Sequence, residues 1–167
     1  MPTISIPLSQ GKTALIDEAD YALVAQYRWH AIRTRSSLWY ASTTTKNGAV
    51  RMHRLLMGFP ESGVDHRNGD GLDNRRENLR VATNSQNGAN YPKPPNRSGF
   101  RGVSWDRSHR AWRACLWAGG ERVLWKKFRS AEDAASIYDD AARRFHGEFA
   151  ILNFPEPGER GTDGVVR

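Results

Sequence analysis

Between positions 64 and 87 the chain reads Val-Asp-His-Arg-Asn-Gly-Asp-Gly-Leu-Asp-Asn-Arg-Arg-Glu-Asn-Leu-Arg-Val-Ala-Thr-Asn-Ser-Gln-Asn, so that Asp65 and His66 adjoin and Asn78 and Asn87 follow. These side-chain types suit hydrolysis of a phosphodiester. That reaction needs a water made nucleophilic and a leaving 3′ oxygen whose developing charge is stabilised, and one hard cation can meet the second need. A carboxylate with an amide oxygen is an open, oxygen-rich pair of the kind that holds Mg²⁺ or Mn²⁺, waters and substrate filling the remaining positions. A neutral histidine, with an ordinary pKa near ~6.5, is the side chain suited to take a proton from water at neutral pH. Taken singly, each residue has a plainer use. Asp65 and Asn68 can shape a turn, Asn78 can bond backbone, Asn87 can be a surface helix residue and His66 a structural histidine.

The surrounding pattern sets these residues on definite elements. Residues 64–66 end a strand, Asn68-Gly69 and Asp70-Gly71 are turn dipeptides, and residues 79–82 can return antiparallel. Thr83 and Gln86 make a Thr-x-x-Gln capping box, so a helix is predicted to begin at Asn84 and present Asn87 in its first turn. Adjacent strand residues face opposite ways, so Asp65 and His66 share a site only where the strand twists or ends between them. This strand, loop, strand and helix pattern resembles the HNH (ββα-metal) nucleases, and within them the phage and intron homing endonucleases. The resemblance extends upstream through Ile6-Pro-Leu-Ser-Gln-Gly-Lys12, Trp29 and Met52-His-Arg54, and so covers most of residues 4–90. It implies that Asp65 and Asn87 bind one divalent metal, Mg²⁺ or Mn²⁺, that His66 is the general base and that Asn78 orients His66. Asn87 stands where the family name has its last histidine, as is usual in the homing branch. His53 is explained equally well by packing beside Leu55 and Leu56. The acidic loop at 70–73 lacks the spaced oxygens of an EF-hand, which speaks against a calcium site.

Upstream, Ile4, Ile6 and Leu8 alternate as in a half-buried strand, Gln10-Gly11 marks a turn, and residues 13–16 can form the returning strand. Residues 17–27 read as a short helix, with Tyr21, Val24 and Tyr27 at helical spacing. Two more strands are expected at 29–33 and 39–44, followed by a hairpin turn at Asn47-Gly48. Three prolines between positions 91 and 97 forbid regular helix and mark a semi-rigid spacer.

Beyond the spacer, residues 98–105, 111–117 and 122–128 are short runs rich in aromatic and β-branched residues, spaced as an antiparallel three-stranded meander. Ser130 caps a following helix in which Ala134, Ala135, Ile137, Tyr138, Ala141, Ala142 and Phe145 line one face. Residues 97–129 hold nine basic and two acidic side chains, whereas residues 131–148 hold two basic and five acidic ones. A phosphate backbone would repel the helix, so the sheet is the expected DNA-facing layer. Phe100-Arg-Gly-Val103, the Ala-rich helix with Tyr138-Asp139, and Ala150-Ile-Leu-Asn-Phe-Pro155 closely resemble the plant AP2 domain. That family lays its sheet in the DNA major groove, and Arg101 and Arg122 stand where its arginines contact DNA. Arg113 and Lys126 complete the expected contact set. Ser104, Asp106, Cys115 and Trp117 depart from the plant pattern, and Trp112, Trp125 and Phe128 are expected in the core.

Lys and Arg number 25 against 18 acids, a net charge of +7, which fits a phosphate-binding surface. The single cysteine, Cys115, allows no intramolecular disulfide and no cysteine-based zinc site. No run approaches the ~20 apolar residues of a membrane helix, and a cytoplasmic protein, in the host cell if phage-encoded, is expected. The sequence therefore predicts two α+β domains. Residues 1–90 are expected to form a ββα-metal HNH nuclease with an N-terminal strand-rich extension, and residues 91–97 a linker. Residues 98–155 are expected to form an AP2-like three-stranded antiparallel sheet plus one helix, and residues 156–167 a disordered tail. The activity implied is metal-dependent cleavage of double-stranded DNA by a free-standing homing endonuclease of phage type. Each half is expected to work apart, residues 98–155 binding duplex and residues 1–90 retaining weak cutting. Two rivals stand beside this reading. One is a non-catalytic DNA-binding regulator, against which the retained Asp65, His66, Asn78 and Asn87 argue; the other is an RNA-binding protein using the same charge.

Overall fold

Alternation of apolar side chains produces the first hairpin: β1 (Thr3–Pro7) pairs antiparallel with β2 (Thr13–Asp17), setting Ile6 opposite Ala14, and Ile6, Ala14 and Ile16 are buried. The computed structural model describes residues 2–34, 37–91 and 96–162. The helix expected at 17–27 is much shorter, a 3-10 turn at Glu18–Asp20 followed by the single-turn α1 (Tyr21–Val24). Its ends are held by other bonds. Asp17 accepts from the Arg76 backbone N–H at 2.8 Å, Asp20 takes the Arg76 guanidinium, and the Trp29 indole N–H donates to the Val24 carbonyl at 2.9 Å.

Strands β3 (His30–Arg33), β4 (Trp39–Thr45) and β5 (Gly48–Arg51) form an antiparallel sheet in that order, with Gly48 at φ 108° in the predicted hairpin turn. Next, α2 (Met52–Leu56) buries Met52 and Leu56 in a core with Ile16, Val24, Ala41, Val64 and Leu79. The two-stranded ladder of β6 (Gly63–His66) and β7 (Leu79–Ala82) sets Asp65 opposite Arg80 and His66 opposite Leu79.

Helix α3 (Asn84–Ala89) begins where the capping pattern puts it. The predicted meander follows as β8 (Val103–Asp106), β9 (Ala111–Ala118) and β10 (Glu121–Phe128), with β9 central. Ser130 then caps α4 (Ala131–His146), its hydroxyl accepting from the Asp133 N–H at 3.0 Å. Small side chains let α4 lie close on the sheet: Ala134, Ala135 and Ala142 are wholly buried against Val103, Ala114 and Leu116. Gly102 has φ +75°, and a Cβ there would fall inside the Tyr138 ring, so only glycine fits this corner.

The chain divides into two compact units, residues 1–83 and 84–167, so α3 belongs with the second unit. Of the expected linker, residues 92–95 lie outside the described residues, as do residues 163–167 of the expected tail. Residues 156–162, expected to be disordered, are ordered instead. Arg143 grips Glu159 at 2.8 Å, Leu152 forms a bridge with Gly161, and Arg160 is buried. The segment has little apolar surface, but its charges find fixed partners on α4 and beyond, and those bonds order it. No helix among the described residues is long and apolar enough to cross a membrane.

Candidate active site and nucleic-acid face

The turn dipeptides between β6 and β7 fold into a web of amide and carboxylate bonds. Asn78 Oδ1 accepts from the Asn68 backbone N–H at 3.0 Å, and its two amide hydrogens go to Asn68 Oδ1 at 3.0 Å and the Asp73 carbonyl at 2.7 Å. Asn68 also donates to Asp73, which is held by Arg75 through two bonds of 2.8 and 2.7 Å. Burial pushes the Asp73 carboxyl up, but the bonds and charge of Arg75 outweigh it and hold the group below its ordinary value. Backbone bonds on both sides of Asp73, Leu15 N–H to Leu72 carbonyl and Asn74 N–H to Leu15 carbonyl, fasten this loop to β2. Gly71 passes so close to β4 that a Cβ would strike the Trp39 carbonyl and the Tyr40 ring.

The web fixes the surroundings of His66. Asn74, completely buried, donates its amide to the Leu72 carbonyl at 3.0 Å, which turns its Oδ1 toward His66 Nε2 at 3.5 Å. An amide oxygen only accepts, so the imidazole carries its hydrogen on Nε2 and its lone pair on Nδ1. The His53 ring stands edge-on to His66 at 4.9 Å, and the Tyr40 ring lies 5.8 Å away with the Arg51 guanidinium over it. Burial lowers the His66 pKa below its ordinary value, against the Asn74 bond and the charges of Asp65, Asp70 and Asp73, which raise it. His66 is therefore a neutral imidazole at neutral pH. Asp65, next along β6, has different neighbours: its Oδ2 accepts from Arg80 Nε at 2.9 Å and forms an ion pair with the same guanidinium, 2.8 Å from Nη2, both residues being buried. β6 ends at His66, the strand end that the sharing of one site by Asp65 and His66 requires.

The sequence reading assigned the orientation of His66 to Asn78. In the structure Asn74 faces the ring, and Asn78 is bonded to the loop that carries Asn74. Asn87 is an exposed residue of α3, in the second unit. Asn74, Tyr40, Gly71 and Arg80 went unnoticed in the sequence. Nothing distinguishes Asn74 there from the loop's other amides, and the closeness of β4 is a tertiary fact.

Burial pushes the His53 pKa down to about 3, helped by His66, Arg51 and Arg54. A histidine held neutral in the fold and protonated in the unfolded chain costs stability below its unfolded pKa. The stability of residues 1–83 should therefore fall as pH drops from about 6.5 toward 3, with a limiting slope of about 1.4 kcal/mol per pH unit. Urea midpoints across this range should fall less steeply in His53→Phe than in wild type, the slope that remains coming from His66, which burial also holds neutral.

In the second unit, register divides the sheet into two faces. Trp112, Ala114 and Leu116 of β9 pack toward α4 with Leu124 and Phe128, as expected of Trp112 and Phe128. Lys126, opposite Ala114, alternates onto that same side, and its ammonium lies over the Phe128 ring, so it does not join the outer face. Lys127 does, together with Arg113, Trp117 and Trp125. Trp125, expected in the core, is 47% exposed, because the register that turns Leu124 and Phe128 toward α4 puts it on the opposite face. Its ring sits between two guanidiniums, Arg113 at 4.4 Å and Arg122 at 4.3 Å. Arg101 is committed internally: Nε donates to the Tyr138 hydroxyl at 3.2 Å, Nη1 to the Tyr91 carbonyl at 3.0 Å and Nη2 to the Ala89 carbonyl at 2.8 Å.

A family model described as HNH endonuclease matches residues 57–89, the stretch that holds Asp65, His66, Asn78 and Asn87. The chain is 27% identical over 151 residues to a protein of Acanthamoeba polyphaga mimivirus named "Uncharacterized HNH endonuclease L560", covering 86% of this chain and 76% of the relative. It is 34% identical over 88 residues to Protein 3.8 of Escherichia phage T7, covering 52% of this chain and 72% of the relative. No solved structure matches it. The likeness to viral and phage proteins reaches well beyond the matched stretch, and the family match, falling on the residues that build the loop web around His66, gives this chain an HNH endonuclease domain.

Proposed function

We propose that the chain is a metal-dependent endonuclease that hydrolyses duplex DNA, with His66 as general base. The observation that carries this reading is the buried His66, a side chain of the type that takes a proton from water at neutral pH, held neutral in the turn web with its Nε2 facing the Asn74 side-chain oxygen. Among the described residues no three His, Cys, Asp or Glu side chains form a metal-holding group. The donors we assign to it, the Asp65 carboxylate and the Asn87 amide oxygen, are of the types that suit a hard cation of the Mg²⁺ or Mn²⁺ kind, which takes most of its ligands from water and phosphate. When bound, such an ion supplies positive charge to the leaving oxygen. Arg80 holds the Asp65 carboxylate in place, Asn78 and Asn68 hold the loop, and His53 and Tyr40 wall the imidazole. Incubating the protein with supercoiled DNA, with Mg²⁺ and with chelator, tests the reading: nicked or linear product should form only with the metal. Likeness to phage and viral proteins fits a host cytoplasm as the setting, and the homing role rests on the resemblance of residues 4–90 to the homing endonucleases.

The second unit gives the enzyme its hold on DNA, in the manner of the AP2 module it resembles, through the outer sheet face. Stacking on Trp125 keeps Arg113 and Arg122 extended and partly desolvated before any partner arrives, which lowers the entropy lost on contact. Arg122→Ala should weaken duplex binding and, if it removes one phosphate contact, lower the slope of log K against log salt by about one. Fluorescence anisotropy at several salt concentrations measures both, and unchanged affinity and slope would take Arg122 out of the interface.

A further inference from the structure

The helix that carries Asn87 is poorly equipped to exist alone. It has six residues, Asn-Ser-Gln-Asn-Gly-Ala, against the ~12 to 15 that an isolated helix needs, and most of these are weak helix formers. Its order has to come from attachments, and within the second unit these are specific. At its start, the Ser85 hydroxyl accepts from the Gly119 N–H at 3.3 Å. At its end, two guanidiniums converge on successive carbonyls: Arg101 on those of Ala89 and Tyr91, and Arg160 on that of Asn90 at 3.0 Å and on the Asn90 side-chain oxygen. Final carbonyls lack partners inside a helix, and the negative end of its dipole favours cations there. Each arginine is anchored in turn. Arg101 bonds the Tyr138 hydroxyl on α4, and the backbone carbonyl of buried Arg160 accepts from the Leu152 N–H at 2.9 Å. Ala89 and Asn90 are buried by this arrangement, and Asn87 is left exposed.

We infer that Arg101 and Arg160 are positioning residues for Asn87. They clasp the C-terminal end of α3 to the sheet-and-helix module, so that cleavage depends on the fold of that module as well as on its grip on DNA. The inference rests on the nuclease reading, in which Asn87 is a metal ligand. It gives Arg101 a different task from the DNA contact that the AP2 resemblance implies, and it means that residues 1–90 without the module lack what holds Asn87.

The full-length variants Arg101→Gln and Arg160→Met test the clasp with three readouts. Turnover at saturating DNA and Mg²⁺ should fall about 10- to 100-fold, the loss usual when a residue that orients a metal ligand is removed. Duplex affinity in chelator, and its salt slope, should stay at wild-type values, which also shows that the sheet is still folded. Amide hydrogen exchange across residues 85–90 should quicken, and Arg101→Lys, which can still reach one carbonyl, should recover part of both losses. Unchanged turnover and exchange in both variants would overturn the clasp. So would a lower salt slope in Arg101→Gln with turnover intact, which would make Arg101 a phosphate contact. A wild type that cuts nothing would fell the nuclease reading and the role of Asn87 with it. Hydrogen exchange separates that outcome from a failed clasp, because it reads the helix whether or not DNA is cut.

Discussion

Asp65→Asn should abolish Mg²⁺-dependent cutting of supercoiled DNA and leave the protein folded, while Asp65→Ala should abolish cutting and also lower stability. The two variants differ because Asp65 has two attachments. In the structure its Oδ2 is gripped twice by Arg80 from the facing strand, and both residues are buried. In the proposed mechanism it also supplies the only negative charge among the metal's protein ligands. Asparagine keeps an oxygen for Arg80 and loses the charge, so metal affinity goes and most of the packing stays. Alanine removes both and strips a buried guanidinium of its counter-charge, a change that typically costs about 3 to 5 kcal/mol. Plasmid relaxation and urea denaturation, run on both variants, separate the two effects. Wild-type protein that cuts undiminished in excess chelator would sink the metal mechanism. A fully active Asp65→Asn would leave the metal and remove Asp65 from its ligands.

Local pattern made much of this molecule readable in advance. The β6–β7 ladder, the start of α3 and the three-stranded meander followed from turn dipeptides, a capping box and alternating aromatic residues, all of which act over a few residues. What escaped notice depends on distant partners. The helix expected at 17–27 gave way to one turn because Arg76, more than fifty positions away, claims Asp17 and Asp20. Residues 156–162 looked too polar to order, yet Glu159 and Arg160 find Arg143 and Asn90. At the site, Asp65 and His66 were legible as a pair, whereas choosing Asn74 over Asn78 as the neighbour of the ring required knowing which way the loop folds. Lys126 and Lys127 show the same limit on one strand. Both are basic and exposed, and alternation puts Lys127 on the face of Trp125, but only the pairing register, with its irregularity between Arg122 and Leu124, tells that this face is the one turned away from α4.

His66→Ala should slow cleavage by about 10² to 10⁴, the loss expected of a missing general base, while Mg²⁺ dependence persists. The pH dependence carries the diagnosis. Burial lowers the His66 pKa below its ordinary ~6.5, so the imidazole is already a base at neutral pH and the acid limb of the rate profile should lie below about pH 6.5. As pH falls through that lowered value the proton fills the site that water's proton must enter, and the rate declines; in His66→Ala this limb should be absent. Asn74→Leu supplies a finer check. Without the oxygen that Nε2 faces, the ring no longer prefers the tautomer with its lone pair on Nδ1, and the rate should fall about 10- to 100-fold with His66 still present. Added imidazole should restore part of the rate to His66→Ala, since the walls made by His53 and Tyr40 stay in place, and should do nothing for Asn74→Leu. A His66→Ala protein that keeps the wild-type rate from about pH 5 to about pH 9 would put the base elsewhere. His53, whose ring stands 4.9 Å from that of His66, would then be the side chain to replace next.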